Sequence, residues 1–290
     1  MTAKTTGHAA AIVTIFIWGV TFISTKILLT GFLPVEILFY RFVIGYLALF
    51  AACPRFLKSS GIKQELYFIA AGLTGICLYY LLENIALTYT LASNVGIILS
   101  TAPFFTALAG FIFMRGDEHP RKRFFIGFVI AMAGIYLIST AESGMAFNLT
   151  GDLLALGAAV VWALYSVLTR KISTFGCNTV LITRRVFFYG LLFMLPALYI
   201  FGFTFGLQRF TQPQYLFNIL FLGLGASALC FATWNFAVKV LGAVKTSAYI
   251  YAVPVLTVVS AVLVLNEPVT PKMLAGGALI LAGLFISQKA

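Results

Sequence analysis

Ten apolar runs, each close to the length that spans a bilayer as a helix, follow one another along the chain with short polar connections. They cover residues 9–29, 36–52, 66–88, 92–114, 122–140, 151–170, 178–201, 214–238, 243–265 and 271–288. A helix rises about 1.5 Å per residue, so roughly 20 residues cross the ~30 Å hydrocarbon core of a membrane. In lipid every backbone N–H and C=O must be paired within the chain, and uninterrupted apolar runs of this length satisfy that as helices. The sequence predicts an all-α membrane protein with ten transmembrane helices. Its longest connections, 53–65 and 202–213, are too short to fold as domains of their own.

Composition excludes the soluble alternatives. The chain is 61% hydrophobic and 9% charged, where a soluble domain carries about 25% charged residues. The net charge of +11 is a loop property and does not make a nucleic-acid surface. Lys4, Arg55, Lys58, Lys63, Arg115, Arg121, Lys122, Arg123, Arg170, Lys171, Arg184, Arg185, Lys239, Lys245 and Lys289 all fall on one side if the N-terminus is cytoplasmic. That leaves Lys26, Arg41, Arg209 and Lys272 on the other. Positive charge accumulates on cytoplasmic loops. A multi-pass protein of the inner membrane is predicted, with both termini cytoplasmic. Cys53, Cys77, Cys177 and Cys230 show no metal-ligand spacing, and His8 and His119 lie outside the apolar runs. No cofactor, metal or catalytic set is expected.

The second half of the chain echoes the first. Gly7, Trp18 and Arg41 return as Gly151, Trp162 and Arg185, 144 residues on. Asn84, Ala92 and Pro103 return as Asn235, Ala243 and Pro254, 151 residues on. Glu118, Gly127 and Gly134 return as Glu267, Gly276 and Gly283, 149 residues on. Residues 1–140 and 141–290 therefore read as two copies of a five-helix unit. Five is odd, so the second copy enters the membrane from the opposite face. Inverted repeats of this kind build two access states around one central site in many secondary transporters.

These residues resemble a known family, the EamA type of the drug/metabolite transporter superfamily. The resemblance is carried by Phe16-Ile17-Trp18-Gly19, Arg41, the stretch Glu83-Asn84-Ile85-Ala86-Leu87-Thr88-Tyr89-Thr90, Pro103, Pro254, Asn266-Glu267-Pro268 and Gly276–Gly283. It covers essentially the whole chain, twice. It implies ten helices in two inverted repeats and the export of small metabolites, often amino acids. The run Arg115-Gly116-Asp117-Glu118-His119-Pro120 departs from the second copy in being more charged.

Glu83 is the most informative single residue, an acid within an apolar run, with Tyr79 and Tyr80 on much the same helix side. An acid at such depth faces a cavity or a partner. It reads as a proton-coupling carboxylate or as the counter-charge of a substrate ammonium. The plainer reading is an interfacial acid in water or paired with Arg41. Trp18, Trp162, Tyr80, Tyr165, Phe231, Trp234, Tyr249 and Tyr251 are candidates for an aromatic cavity wall, which suits apolar side chains and ammonium groups. Otherwise they are packing. Asn84 and Asn235 bind substrate or tie helices together. Lys239 and Lys245 meet a substrate carboxylate or are plain cytoplasmic charge. Arg41 and Arg185 are expected to snorkel. Pro103 and Pro254 predict kinks. The glycines of segments 5 and 10 predict close helix packing or a dimer face.

The expected function is secondary transport of a small-molecule substrate across the lipid bilayer, with protons as a candidate coupling ion, by a monomer or homodimer. The competing expectations are an organic-cation or quaternary-amine carrier and, from another class, a membrane-embedded lipid-modifying enzyme.

Overall fold

The computed structural model describes residues 3–57, 61–114, 122–139 and 148–288. Lys58, Arg115, Gly116, Asp117, Glu118, His119, Pro120, Arg121 and Lys289, named above, lie outside the described residues. Among the described residues all regular structure is helical. Eight helices are long and apolar enough to cross a membrane: α1 (Ala3–Leu28), α2 (Pro34–Ala52), α3 (Ile62–Tyr89), α4 (Ala92–Phe113), α6 (Leu149–Phe175), α7 (Thr179–Ile200), α8 (Pro213–Leu241) and α9 (Ala243–Leu265). Two further apolar helices, α5 (Lys122–Ser139) and α10 (Pro271–Gln288), accompany them. Large apolar side chains such as Phe16, Leu47, Tyr199 and Leu263 face outward around the bundle. Lipid is the solvent they require, and the chain is a multi-pass membrane protein.

The helices pair in a regular scheme. α1 packs on α8 and α9, and α6 packs on α3 and α4. α2 packs on α8, and α7 on α3. α2 meets α7, α4 meets α9, and α5 meets α10. Exchanging each helix with the one five places away returns the same set of pairs.

Glycines set the closest crossings, because a bare Cα lets two backbones approach. A Cβ on Gly72 would lie 2.7 Å from the Gly190 nitrogen, and one on Gly45 would lie 3.2 Å from the Gly223 carbonyl. The two contacts are counterparts, and they fix the alignment of the halves in this region. Gly45 matches Gly190 and Phe42 matches Phe187, 145 residues on, so Arg41 matches Val186. The offset of 144 that paired Arg41 with Arg185 fails here by one residue. Their surroundings confirm the correction: Arg41 is fully buried, whereas Arg185 is part-exposed and ion-paired with Glu65. The glycines of α5 and α10 pack those two helices together within the chain. A Cβ on Gly134 would lie 2.6 Å from the Gly276 carbonyl, and one on Gly283 would strike the Gly127 carbonyl.

Four irregular stretches interrupt the long helices. α3 and α8 each contain a π-helical stretch, Gly72–Leu78 and Phe221–Leu229. Such turns are frequent at functional sites. α4 is interrupted at residues 100–101, just ahead of Pro103, and α9 passes through a 3₁₀ stretch, Ala248–Ala252, just ahead of Pro254. Proline supplies no N–H and clashes with the preceding turn, so each break falls where the sequence predicts a kink.

Ion pairs fasten the two long connections to the bundle at opposite ends of α2. At its start, the buried Glu36 carboxylate accepts from Arg209 at 2.8 and 2.9 Å, from the Thr204 hydroxyl at 2.6 Å and from the Leu33 nitrogen at 2.8 Å. Past its end, Arg185 donates to Glu65 at 2.7 Å twice and to the Leu57 carbonyl, while Arg184 donates to the Cys53 and Arg55 carbonyls.

Candidate functional site

The middle of the bundle is a cluster of aromatic rings contributed by both halves. Trp18 and Trp162, matched across the repeat, meet edge to face with centroids 5.2 Å apart. Trp234 lies 5.0 Å from Trp18, Tyr79 lies 4.9 Å from Trp162, and Tyr165 lies 5.0 Å from Trp162. Phe231 joins Trp18, Tyr80 and Tyr165. Offset and edge-on contacts at these separations add to the stabilisation from buried area.

The cluster encloses a small cavity of about 40 Å³, lined by Trp18, Thr21, Phe22, Tyr79, Tyr80, Glu83, Leu99, Ala102, Trp162, Ile250 and Val253. Ligand pockets measure roughly 300–1,000 Å³, so in this conformation the cavity has room for a few waters. Leu99 and Ala102 flank the break in α4, while Ile250 lies within the break in α9 and Val253 directly follows it. These two pairs are themselves repeat counterparts, 151 residues apart. The cavity thus lies where both interrupted helices face both tryptophan-bearing helices.

The π-helical stretches aim the polar wall. Gly72–Leu78 ends directly before Tyr79, so the extra residue in that turn decides which side of α3 carries Tyr79, Tyr80 and Glu83. The stretch in α8 leaves the Ala226 carbonyl able to accept from the Trp18 indole at 3.0 Å. Gly75 leaves room for the Tyr165 ring against α3.

Glu83 is 1% exposed, and its carboxylate is hydrogen-bonded by Tyr79 with one oxygen left unpartnered. Arg41 is the cation within electrostatic reach of it. Glu83 therefore occupies neither the water interface nor a direct ion pair with Arg41.

The other predicted residues divide between the wall and its support. Trp18, Tyr79, Tyr80, Glu83 and Trp162 line the cavity. Tyr165, Phe231 and Trp234 pack behind it. Asn84 and Asn235 act as cross-helix ties. Asn84 donates to the Pro34 carbonyl at 3.1 Å. Asn235 donates to Thr183 at 3.0 Å and accepts from Tyr165 at 3.2 Å. Tyr249 lies apart, hydrogen-bonded to His8 at 2.5 Å on an apolar groove between α1 and α9. Lys239 and Lys245 are exposed.

Sequence reasoning missed the Phe42–Phe187 pair, which contacts Phe231 from beneath. Its signal was present, since the two residues are repeat counterparts once the glycine contacts set the offset. It also missed the part played by Glu267. That carboxylate caps α4, accepting from the Ala92 nitrogen at 2.9 Å, the Ser93 nitrogen at 3.1 Å and the Ser93 hydroxyl at 2.6 Å.

Comparison with known proteins places this geometry. The EamA-like transporter family matches residues 5–140 and again residues 149–288. A transporter of Archaeoglobus fulgidus, described as uncharacterized, is 29% identical over 99% of this chain and 98% of its own length. A protein of Streptantibioticus cattleyicolor, described as a probable terminal-alkyne amino-acid exporter, is 26% identical over 97% of this chain and 92% of its own. A crystal structure 20% identical in sequence shares the fold with a TM-score of 0.69 over 98% of this chain and 96% of that one.

Proposed function

Because the chain belongs to the EamA-like transporter family, we propose that it is a secondary transporter that exports small amphipathic metabolites, amino acids foremost, by alternating access. In this reading the ten helices are ten spans, and residues 1–140 and 141–290 are five-helix halves of opposite orientation. Both termini are cytoplasmic and the membrane is the inner one. Three observations support it. Basic residues crowd the loops assigned to the cytoplasm. The helix pairing is unchanged when the halves are exchanged. A relative of nearly equal length carries an amino-acid exporter's description.

The observation that carries the proposal is the cavity between matched elements of the two halves, Trp18 with Trp162, Leu99 with Ile250 and Ala102 with Val253. A wall built from counterparts can open to either side by opposite tilts of the halves. The breaks in α4 and α9 are where those helices flex. In this reading Glu83 is the coupling or ammonium-binding carboxylate.

Counterflow tests this reading. Proteoliposomes loaded with an unlabelled mixture of neutral amino acids should accumulate labelled amino acid transiently and saturably. Uptake without saturation or counterflow would point to a channel and overturn alternating access. An organic-cation carrier is the second reading, favoured by Glu83 in a cavity lined by five aromatic residues, Trp18, Phe22, Tyr79, Tyr80 and Trp162. Competition by quaternary amines, with no competition by neutral amino acids, would select it.

A further inference from the structure

The buried core leaves a particular set of polar atoms without partners. Nη1 and Nη2 of Arg41 and Nε1 of Trp162 and Trp234 are donors with nothing to donate to. Oε1 of Glu83 and Oδ1 of Asn84 are acceptors with nothing to accept from. Buried polar groups in native proteins are almost always paired, so a cluster of exceptions needs a cause. What would satisfy both lists at once is one molecule with a carboxylate at one end and an ammonium at the other.

Arg41 is the unexpected member. It is 0% exposed, so it does not snorkel to the interface. Its only hydrogen bond runs from Nε to the Ser227 hydroxyl at 3.1 Å. Its guanidinium carbon stands 4.2 Å from the centroid of the Tyr80 ring, and Tyr80 is part of the cavity wall. The ion pairs Arg185–Glu65 and Arg209–Glu36 involve neither Arg41 nor Glu83. A lone guanidinium in a low-dielectric interior is heavily penalised unless something pairs with it.

The repeat shows that the fold does not need this charge. The counterpart of Arg41 is Val186, also 0% exposed, and the counterpart of Glu83 is Trp234. The same architecture is therefore built in the second half with apolar residues at both positions. The two opposite charges are additions of the first half, held on either side of the Tyr79–Tyr80 pair.

We propose that Arg41 is the specificity-determining residue that binds the substrate's carboxylate, reached when the Tyr80 ring swings aside, while Glu83 takes the ammonium. This rests on the transport reading above and narrows it to zwitterions. Arg41 offers a planar pair of N–H donors that matches a carboxylate two by two. Trp162 Nε1, in the cavity wall, supplies a further donor on the way in.

The test is ligand binding by purified protein, read by titration calorimetry. The probes are L-phenylalanine, phenethylamine, which lacks its carboxylate, and 3-phenylpropionate, which lacks its ammonium. Sites built to hydrogen-bond a group strongly reject analogues without it. The wild type is expected to bind L-phenylalanine at least about tenfold tighter than either analogue. Arg41→Gln should abolish the preference over phenethylamine while leaving phenethylamine affinity within about twofold. Arg41→Lys, which keeps the charge, should restore part of the preference, and it covers the case in which the glutamine variant does not fold. An equal loss for L-phenylalanine and phenethylamine in both variants would overturn the proposal and leave Arg41 as a counter-charge of Glu83. Equal wild-type affinity for those two probes would also overturn it, yet would leave transport standing in its organic-cation form. Binding of none of the three would remove the amino-acid reading as well.

Discussion

Glu83 carries the cost of an acid at the centre of a membrane bundle, at least about 2.5–3.5 kcal/mol by insertion scales. Its one identified hydrogen bond is to Tyr79, and its other oxygen is unpartnered. In the transport proposed here this carboxylate exchanges a proton for a substrate cation. Glu83→Gln removes the titrating group but keeps its shape. Transport by that variant in proteoliposomes should lose its pH dependence, whatever rate remains. A wild-type pH profile in the variant would end the coupling role. The sequence made Glu83 conspicuous because acids are rare in apolar runs. Arg41 is equally visible, but from the sequence an arginine there is expected to snorkel. Whether an arginine reaches out or turns inward depends on which neighbour's ring lies beside it, here Tyr80 from another helix.

Among the helices, those that meet at glycines differ from those interrupted by proline. At the α3–α7 crossing Gly72 and Gly190 nearly touch, and a side chain on Gly190 would run into Ile76 and the π-helical stretch of α3. Gly72→Leu should cost more than the ~1–3 kcal/mol typical of overpacking, because its Cβ would meet backbone, the Gly190 nitrogen at 2.7 Å and the Val186 carbonyl at 2.8 Å. A large fall in melting temperature or loss of folded protein would show it. Glu267 ties the start of α4 to the connection between α9 and α10. Its negative charge also suits the positive end of a helix. Glu267→Gln should lower stability by about 1–2 kcal/mol in thermal unfolding. If α4 swings during transport, the same change should raise the accessibility of a cysteine placed at Ala92. The kinks at Pro103 and Pro254 were legible in the sequence because proline acts on its own backbone. The π-helical stretches were not, since an α-helix accepts an extra residue only where neighbours stabilise it.

At the scale of the whole molecule, the arrangement proposed here requires both termini on one side of the membrane. Impermeant labelling of single cysteines placed beside Lys4 and beside Lys289 should give the same result from each face of sealed vesicles. Opposite results would remove the inverted relation of the halves, and with it the mechanism. Glu36 with Arg209 holds the start of α2 to the α7–α8 connection, and Glu65 with Arg185 holds the start of α3 to α7, beside the carbonyls of the α2–α3 connection that Arg184 and Arg185 also bond. In the mechanism proposed here α2 and α7 are the spine, and α1, α4, α6 and α9, which with α3 line the cavity, are the parts that move.

The sequence alone determined that this chain forms apolar helices in lipid and that its halves correspond, and it marked Trp18, Trp162, Tyr80 and Glu83 as candidates for one site. Run length, residue type and spacing are local quantities, and a helix in hydrocarbon satisfies its own backbone without help. Only the tertiary structure decided that Arg41 turns inward while Arg185 binds Glu65, that Asn84 and Asn235 are ties, and that the cavity is small. Those outcomes depend on how far each helix is rotated against its neighbours. That rotation is set by glycine crossings and helix breaks between residues more than a hundred positions apart.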